Sequence, residues 1–327
     1  MRESTSIVFS GGYFPIRKTV TNGRTCRHKY LTILYVWRNR KCPKNVFTPR
    51  VVKCRPHFKK NYFNNGSAYF VDIDADGMPA PGKTATARYT DERYIKTFMR
   101  TGNKKLTDVY DAETGDRIAA YAQFNLPARR TCPNATKACF KFCYAIRDER
   151  FPTPRENRRA NYDASRRDDF VERMIYTIET NLATPRYHDA VMILRIHESG
   201  DFYSKAYMTK WIRVISHFIG RNVIFQFYTK CFDFVLSLDP ISKAVLRLAL
   251  TRHNVAMSLS IDESTPARDF KKIKQIRAEF PNVNIYFAID GAKLDGIRYD
   301  NKCTCENCAK CAHCTFTAGK TTAVAIH

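Results

Sequence analysis

Apolar residues change their rhythm near residue 116 of this 327-residue chain. Before that point no three- or four-residue apolar period holds. Short β-rich runs, YLTILYVW at 30–37 and SAYFVDID at 67–74, stand between Gly, Asn and Pro turns, which predicts a small, mostly β module over 1–115. After it, apolar runs with few charges recur at 117–125, 190–196, 222–229, 254–261 and 283–289, as strands buried on both faces require. Helical patterns lie between them. Tyr207, Trp211, Ile215 and Phe218 form one apolar stripe over 204–219, and Thr265-Pro266 reads as a cap followed by a first-turn proline for a helix over 266–279. Alternating strands and helices imply parallel strands with right-handed crossovers, and five strands suggest a partial, open α/β barrel over 116–300. The remaining 301–327 reads as a cysteine-rich metal-binding segment.

Ligands in such folds gather where the strands end. A loop with Cys132, Cys139 and Cys143 follows the first predicted strand, and His197-Glu198-Ser199-Gly200-Asp201 the second. Thr229-Lys230-Cys231, Asp262-Glu263-Ser264 and Asp290-Gly291 follow the next three. Polar groups thus recur at one edge of the expected sheet. His197, Glu198 and Asp201 are candidate catalytic acids and bases, with Asp201 able to accept a bond from a ligand amino group. Simple pairing among Arg195, Glu198 and Asp201 is the structural alternative, and His188, His217 and His253 show no partner spacing.

Seven of the twelve cysteines lie between 132 and 143 or between 303 and 311. No secretory signal and no run of about 18 apolar residues is present, so clustered thiols read as metal ligands in a reducing cytoplasm, with no membrane partner. The loop spacing is Cys-x6-Cys-x3-Cys. Three thiolates can hold an iron–sulfur cluster, such as a 4Fe-4S cubane, with one iron open; zinc with a fourth ligand is the alternative. Phe140, Phe142 and Tyr144 would shield such a cluster. The terminal run holds Cys303, Cys305, Cys308, Cys311 and Cys314, with His313 and His327 nearby. It lacks the gap between knuckles of a zinc ribbon and suits a second cluster, structural zinc remaining open. Cys26-x-His28, Cys42 and Cys54-x-x-His57 could supply a zinc site that staples the N-terminal module, but they match no finger spacing and read first as packed or free thiols.

Charge adds a partner to this picture. The chain carries a net +24, and residues 1–60 hold 15 Lys and Arg against the single Glu3. Arg24, Arg27, Lys29, Arg38, Arg40 and Lys41, interleaved with Tyr30, Tyr35 and Trp37, point to nucleic acid as the partner; a solvated basic face or an acidic protein partner is the blander reading.

Several segments together resemble the phage "gene product 88" family: Phe124-Asn-Leu-Pro, Thr131-Cys-Pro-Asn-Ala, Cys139, Cys143-Tyr-Ala, Arg195-Ile-His-Glu-Ser-Gly-Asp-Phe, Trp211, Phe227-Tyr-Thr-Lys, Ser258-Leu-Ser and the terminal cysteine run closed by Ile326-His327. The likeness covers roughly 116–327. The same stretch is more distantly similar to the radical S-adenosylmethionine enzymes, whose partial barrel carries a three-cysteine cluster loop after its first strand. That likeness implies S-adenosylmethionine as cofactor, a reductant as electron donor, and cofactor contacts from Ser199, Gly200, Asp201, Ser258 and Ser260. Under it the terminal run corresponds to an auxiliary cluster. The chain departs from that pattern in its cysteine spacing and in having Asp where the second-strand element usually has Glu. Two other functions compete. One is a non-enzymatic nucleic-acid-binding protein with structural metal sites. The other is a base-exchange enzyme, since Cys303-x-Cys305-x-x-Cys308 with His327 faintly echoes the zinc motif of tRNA-guanine transglycosylases, with Asp201 or Asp262 as nucleophile.

Overall fold

The computed structural model describes residues 91–98, 106, 108–111, 114–290, 299–303 and 313–326, together with the backbone of 33–36 and 48–51. In the N-terminal part, β1 (Ile33–Val36) and β2 (Thr48–Val51) pair antiparallel. The run at 67–74, the candidate zinc ligands at 26–57 and the basic residues Arg24, Arg27, Lys29, Arg38, Arg40 and Lys41 lie outside the described side chains.

Eight strands make the main sheet: β3 (Val109–Tyr110), β4 (Arg117–Phe124), β5 (Val191–Ile196), β6 (Val223–Thr229), β7 (Val255–Asp262), β8 (Asn284–Asp290), β9 (Asn301–Cys303) and β10 (Thr321–Ile326). Their spatial order is β3-β4-β5-β6-β7-β8-β10-β9. All neighbours pair parallel except β3 on β4. The result is a mixed α/β fold with seven parallel strands curled into a half-barrel. Each of the five expected strands is present, and each starts and ends within a residue of its apolar run. Two more come from the segment expected to be only a metal site. The apolar tail Ala323–Ile326 enters the sheet as β10, wedged between β8 and the edge strand β9.

Nine helices are described: α1 (Lys137–Phe142), α2 (Tyr144–Asp148), α3 (Pro152–Arg166), α4 (Phe170–Leu182), α5 (Lys205–His217), α6 (Phe232–Leu236), α7 (Pro240–Thr251), α8 (Ala267–Glu279) and α9 (His313–Phe316). Ser204 caps α5 by accepting the Tyr207 N–H, and the stripe Tyr207, Trp211 and Ile215 is buried as expected. Pro266 takes the N-cap position of α8 instead of its first turn, with extended backbone, and the Thr265 hydroxyl accepts the Asp262 N–H.

Side chains alternate across the strands, so the sheet has two buried faces. Ala120, Phe124, Leu194, Phe225, Leu259 and their neighbours form the main core under the helices. Tyr121, Ile193, Ile224 and Ala256 line the inner face. The short α9 covers that inner face: Phe316 packs on it, and the Thr315 hydroxyl accepts from Gln226 Nε2 at 2.8 Å and lies 3.3 Å from the Tyr121 hydroxyl. Residues 91–98, assigned from sequence to the N-terminal module, also dock on this body. Ile95 and Phe98 enter the main core, and the Ile95 N–H donates to Thr177 Oγ1 on α4.

Candidate functional site at the carboxyl edge of the sheet

Leu126 through Thr131 carry the chain out of β4 into the cysteine loop, and the segment after β5 runs beside them. The Leu126 N–H donates to the Ser199 carbonyl at 2.9 Å, and the Asp201 N–H to the Thr131 carbonyl at 3.1 Å. Ser199 Oγ donates to the Leu126 carbonyl at 2.8 Å. Gly200, at φ +91°, sits so tightly between them that a Cβ would lie 2.6 Å from Thr131 Oγ1 and 2.7 Å from Leu126 Cβ. The second-strand element therefore underlies the cysteine loop. Asp201 is buried, and its carboxylate accepts from the Phe202 and Lys230 backbone N–H groups at 2.7 and 2.9 Å. Burial pushes its pKa up in spite of those bonds.

The loop is tied down from the far side as well. Thr136 caps α1 by accepting the Cys139 N–H, and its own hydroxyl donates to the carboxylate of Asp262, the last residue of β7. The Lys230 ammonium, directly after β6, pairs with Asp262 at 2.8 Å and donates to the Ser260 carbonyl. Both partners are nearly inaccessible, with 11% and 4% of the side chains exposed. One ion pair thus joins the ends of two strands to the helix that carries Cys139.

Cys132, Cys139 and Cys143 are free thiols, each half-buried. They occupy three successive pieces of the loop: a turn, α1, and the joint between α1 and α2. Burial pushes Cys132 up to about 12, with the Asp201, Cys139 and Cys143 charges acting in the same direction. Cys139 is raised chiefly by burial too, and Lys230 opposes the shift. Among the described residues, no three His, Cys, Asp or Glu side chains are gathered within reach of one metal ion. In the terminal run Cys303 and Cys314 are described, and Cys305, Cys308, Cys311 and His327 lie outside the described residues. Cys314 adjoins Tyr228 on the inner face.

The family model described as gene product 88 matches residues 96–321, which hold the cysteine loop and the half-barrel up to the first residue of β10. The chain belongs to the gene product 88 family. It is similar to the Gene 88 protein of Mycobacterium phage D29, at 30% identity over 150 residues, covering 42% of this chain and 59% of the phage protein. The chain thus spans less than two thirds of that relative. No solved structure matches it. The N-terminal basic block precedes the matched region.

In this member of the gene product 88 family the remaining candidates separate into two places. His197 follows β5 at φ +61°, a left-handed conformation that histidine tolerates better than most residues. It turns the ring into the core, edge-on to Phe202 and Trp211, with Nε2 2.9 Å from the Tyr207 hydroxyl. Burial, helped by the Arg195 charge, depresses its pKa to about 3, so the imidazole is neutral. A depressed histidine pKa makes the unfolded chain bind more protons below about 6.5. Urea denaturation should therefore show stability falling by about 2 kcal/mol from pH 7 to pH 5, and His197→Asn should flatten that slope.

Glu198 instead stays partly exposed just past the carboxyl end of β5. Asn125 fixes it, accepting the Glu198 N–H at 2.8 Å and donating to its carboxylate at 3.3 Å, while the Tyr144 hydroxyl donates to its carbonyl. Ser258 is buried and Ser260 half-buried on the inner face, in register with Tyr228 and Tyr286 respectively. Arg195 does not pair with Asp201: its guanidinium lies 3.8 Å from the Tyr228 ring centre, and Tyr286 meets that ring edge-on at 4.7 Å. Sequence reasoning noted Lys230 and Asp262 as edge residues but missed the bond from Thr136 to Asp262, and it quoted Asn125 only within Phe124-Asn-Leu-Pro, with no role. The position of Asn125, directly after the first strand, was the available signal.

Proposed function

We propose that this chain is an iron–sulfur protein of the radical S-adenosylmethionine type that works with nucleic acid. The observation that carries the reading is the placement of Cys132, Cys139 and Cys143 on a loop after the first parallel strand of a half-barrel, pinned from both sides. A single tetrahedral ion needs its ligands gathered at one point, whereas a cluster takes thiolates at separate corners. Three half-buried thiols on one loop, near enough for Cys139 and Cys143 to act on the Cys132 pKa, supply the three thiolates that a cubane with one open iron takes. These cysteines would hold it, and when bound such a group supplies one-electron reduction of a sulfonium cofactor.

The protein's own part is to bind, orient and exclude water. Ser199, Gly200 and Asp201 act as the bed of the loop, their polar groups engaged with its backbone or with Lys230 and Phe202. Glu198, partly exposed and oriented by Asn125 beside that bed, is the carboxylate we assign to accept a bond from a ligand amino group. Asp201 and Asp262 are both committed to internal bonds, which weakens either as a nucleophile for base exchange. The net charge of +24 favours a polyanionic partner. Anaerobic reconstitution with iron and sulfide should give a brown protein that cleaves S-adenosylmethionine under reduction, and Glu198→Gln should raise the KM for that cofactor. A colourless protein holding only zinc overturns the reading.

A further inference from the structure

We infer that the exposed surface formed by the cysteine loop, α1, α2 and the start of α3 is a track for single-stranded nucleic acid. This rests on the nucleic-acid part of the reading above and places the contact on the α/β body, beside the cysteines. Four of the eight exposed large apolar side chains among the described residues fall within twelve positions here: Phe140 and Phe142 at 38%, Tyr144 at 43% and Phe151 at 65%. Aromatic rings concentrated in water-facing positions mark a contact surface. Residues 127–167 also hold 11 Lys and Arg against four Asp and Glu, and two of those acids, Asp148 and Glu149, are held by the buried Arg158.

Cations and rings are already interleaved. The Arg129 guanidinium lies 5.5 Å from the Phe140 ring centre, and the Lys141 ammonium 4.9 Å from that of Phe142. Arg129 is also one of three non-glycine residues with positive φ among the described residues, at +62°, a conformation disfavoured for arginine. Strain of this kind persists where the surroundings enforce it, and it collects at ligand contacts.

Flat rings beside cations match the two faces of a single strand, whose unpaired bases stack while its phosphates meet Arg and Lys. A duplex hides its base faces and cannot use the rings. A membrane surface is served by a long helix with one continuous apolar face, whereas α1 has six residues and α2 five, with cations set between the rings. Because Cys139 and Cys143 are interspersed with Phe140, Phe142 and Tyr144 in the chain, a strand bound here passes beside the cysteines.

Fluorescence anisotropy on the full chain tests this, using a labelled oligothymidylate of about 15 nucleotides, a duplex of equal length and phosphatidylserine vesicles. Joint replacement Phe140→Ala, Phe142→Ala and Phe151→Ala should weaken single-strand binding at least about tenfold. Its salt dependence should stay the same, because no charge is lost, and duplex binding should not change. Arg129→Gly should weaken binding and flatten the salt slope by about 0.7, while its melting temperature holds or rises as the left-handed backbone relaxes; this variant serves if the triple one fails to fold. Unchanged oligonucleotide affinity in a folded ring variant, or ring-dependent binding to vesicles with none to the oligonucleotide, overturns the inference. Iron content measured on the same samples separates the two readings. Iron kept while affinity is lost supports the track, and a wild type without iron that still shows ring-dependent binding supports the track while sinking the cluster.

Discussion

Gly200→Ala is expected to lower the unfolding free energy by about 3 kcal/mol and to loosen the cysteine loop from its bed. Two costs combine. At φ +91° an alanine Cβ is strained whatever space surrounds it, and the space is already filled by Thr131 Oγ1 and Leu126 Cβ at 2.6 and 2.7 Å. The Leu126–Ser199 and Thr131–Asp201 backbone bonds must lengthen to make room. Removing the Thr131 hydroxyl in a Gly200→Ala/Thr131→Ala double variant should restore only part of the loss, since the Leu126 contact and the backbone strain remain. Urea denaturation reads the stability. Thiol labelling of cluster-free protein reads the loop: Cys132, pushed up to about 12 by burial, should be nearly inert at pH 8 in the wild type and react readily in the variant. Wild-type stability and labelling in the variant would show that the loop does not rest on Gly200.

Lys230→Met should cost about 3 to 5 kcal/mol at neutral pH, because it strands the buried Asp262 carboxylate with only neutral donors such as Thr136. Burial alone pushes Asp262 up, but the Lys230 and Thr136 bonds outweigh it and hold the wild-type group below its ordinary range. Such a group stabilises the fold above its unfolded pKa of about 3.9, and the contribution fades as pH falls through the lower folded value. In the variant the sign reverses. A carboxylate raised by burial without its cation is neutralised as the solution becomes acidic, so the gap between variant and wild type should narrow from pH 7 toward pH 4. Lys230→Met/Asp262→Leu should recover most of the stability by removing both charges. A gap independent of pH would mean that Asp262 is not the group left exposed to the loss.

The five central strands were legible because a parallel sheet buries both faces, so Arg117–Phe124 and its counterparts are short, mostly apolar runs with few charges. β9 and β10 were not. NKC is too short to carry a period, TTAVAI lies beyond a cysteine run, and only pairing with β8 places it inside the sheet. Among the candidate site residues, position was readable and role was not. Ser199, Gly200 and Asp201 do stand behind the cysteine loop, yet their bonds reach Leu126 and Thr131 some 70 residues away, and no local pattern announces such contacts. His197 follows an alternating strand and would continue that alternation on the inner face; its positive φ turns it into the aromatic core instead. The pairing of Lys230, Asp262 and Thr136 likewise joins three segments that only the curl of the sheet brings together.

The central claim is that Cys132, Cys139 and Cys143 form a cluster site at the carboxyl edge of the half-barrel. Metal analysis with electron paramagnetic resonance on anaerobically prepared protein tests it most directly, comparing the wild type with a Cys132→Ser/Cys139→Ser/Cys143→Ser variant whose terminal cysteines are intact. The account predicts iron and a reduced-cluster signal in the wild type and their loss, in whole or in a distinct component, in the variant. Zinc in place of iron, or an iron signal that survives the triple substitution unchanged, would contradict it.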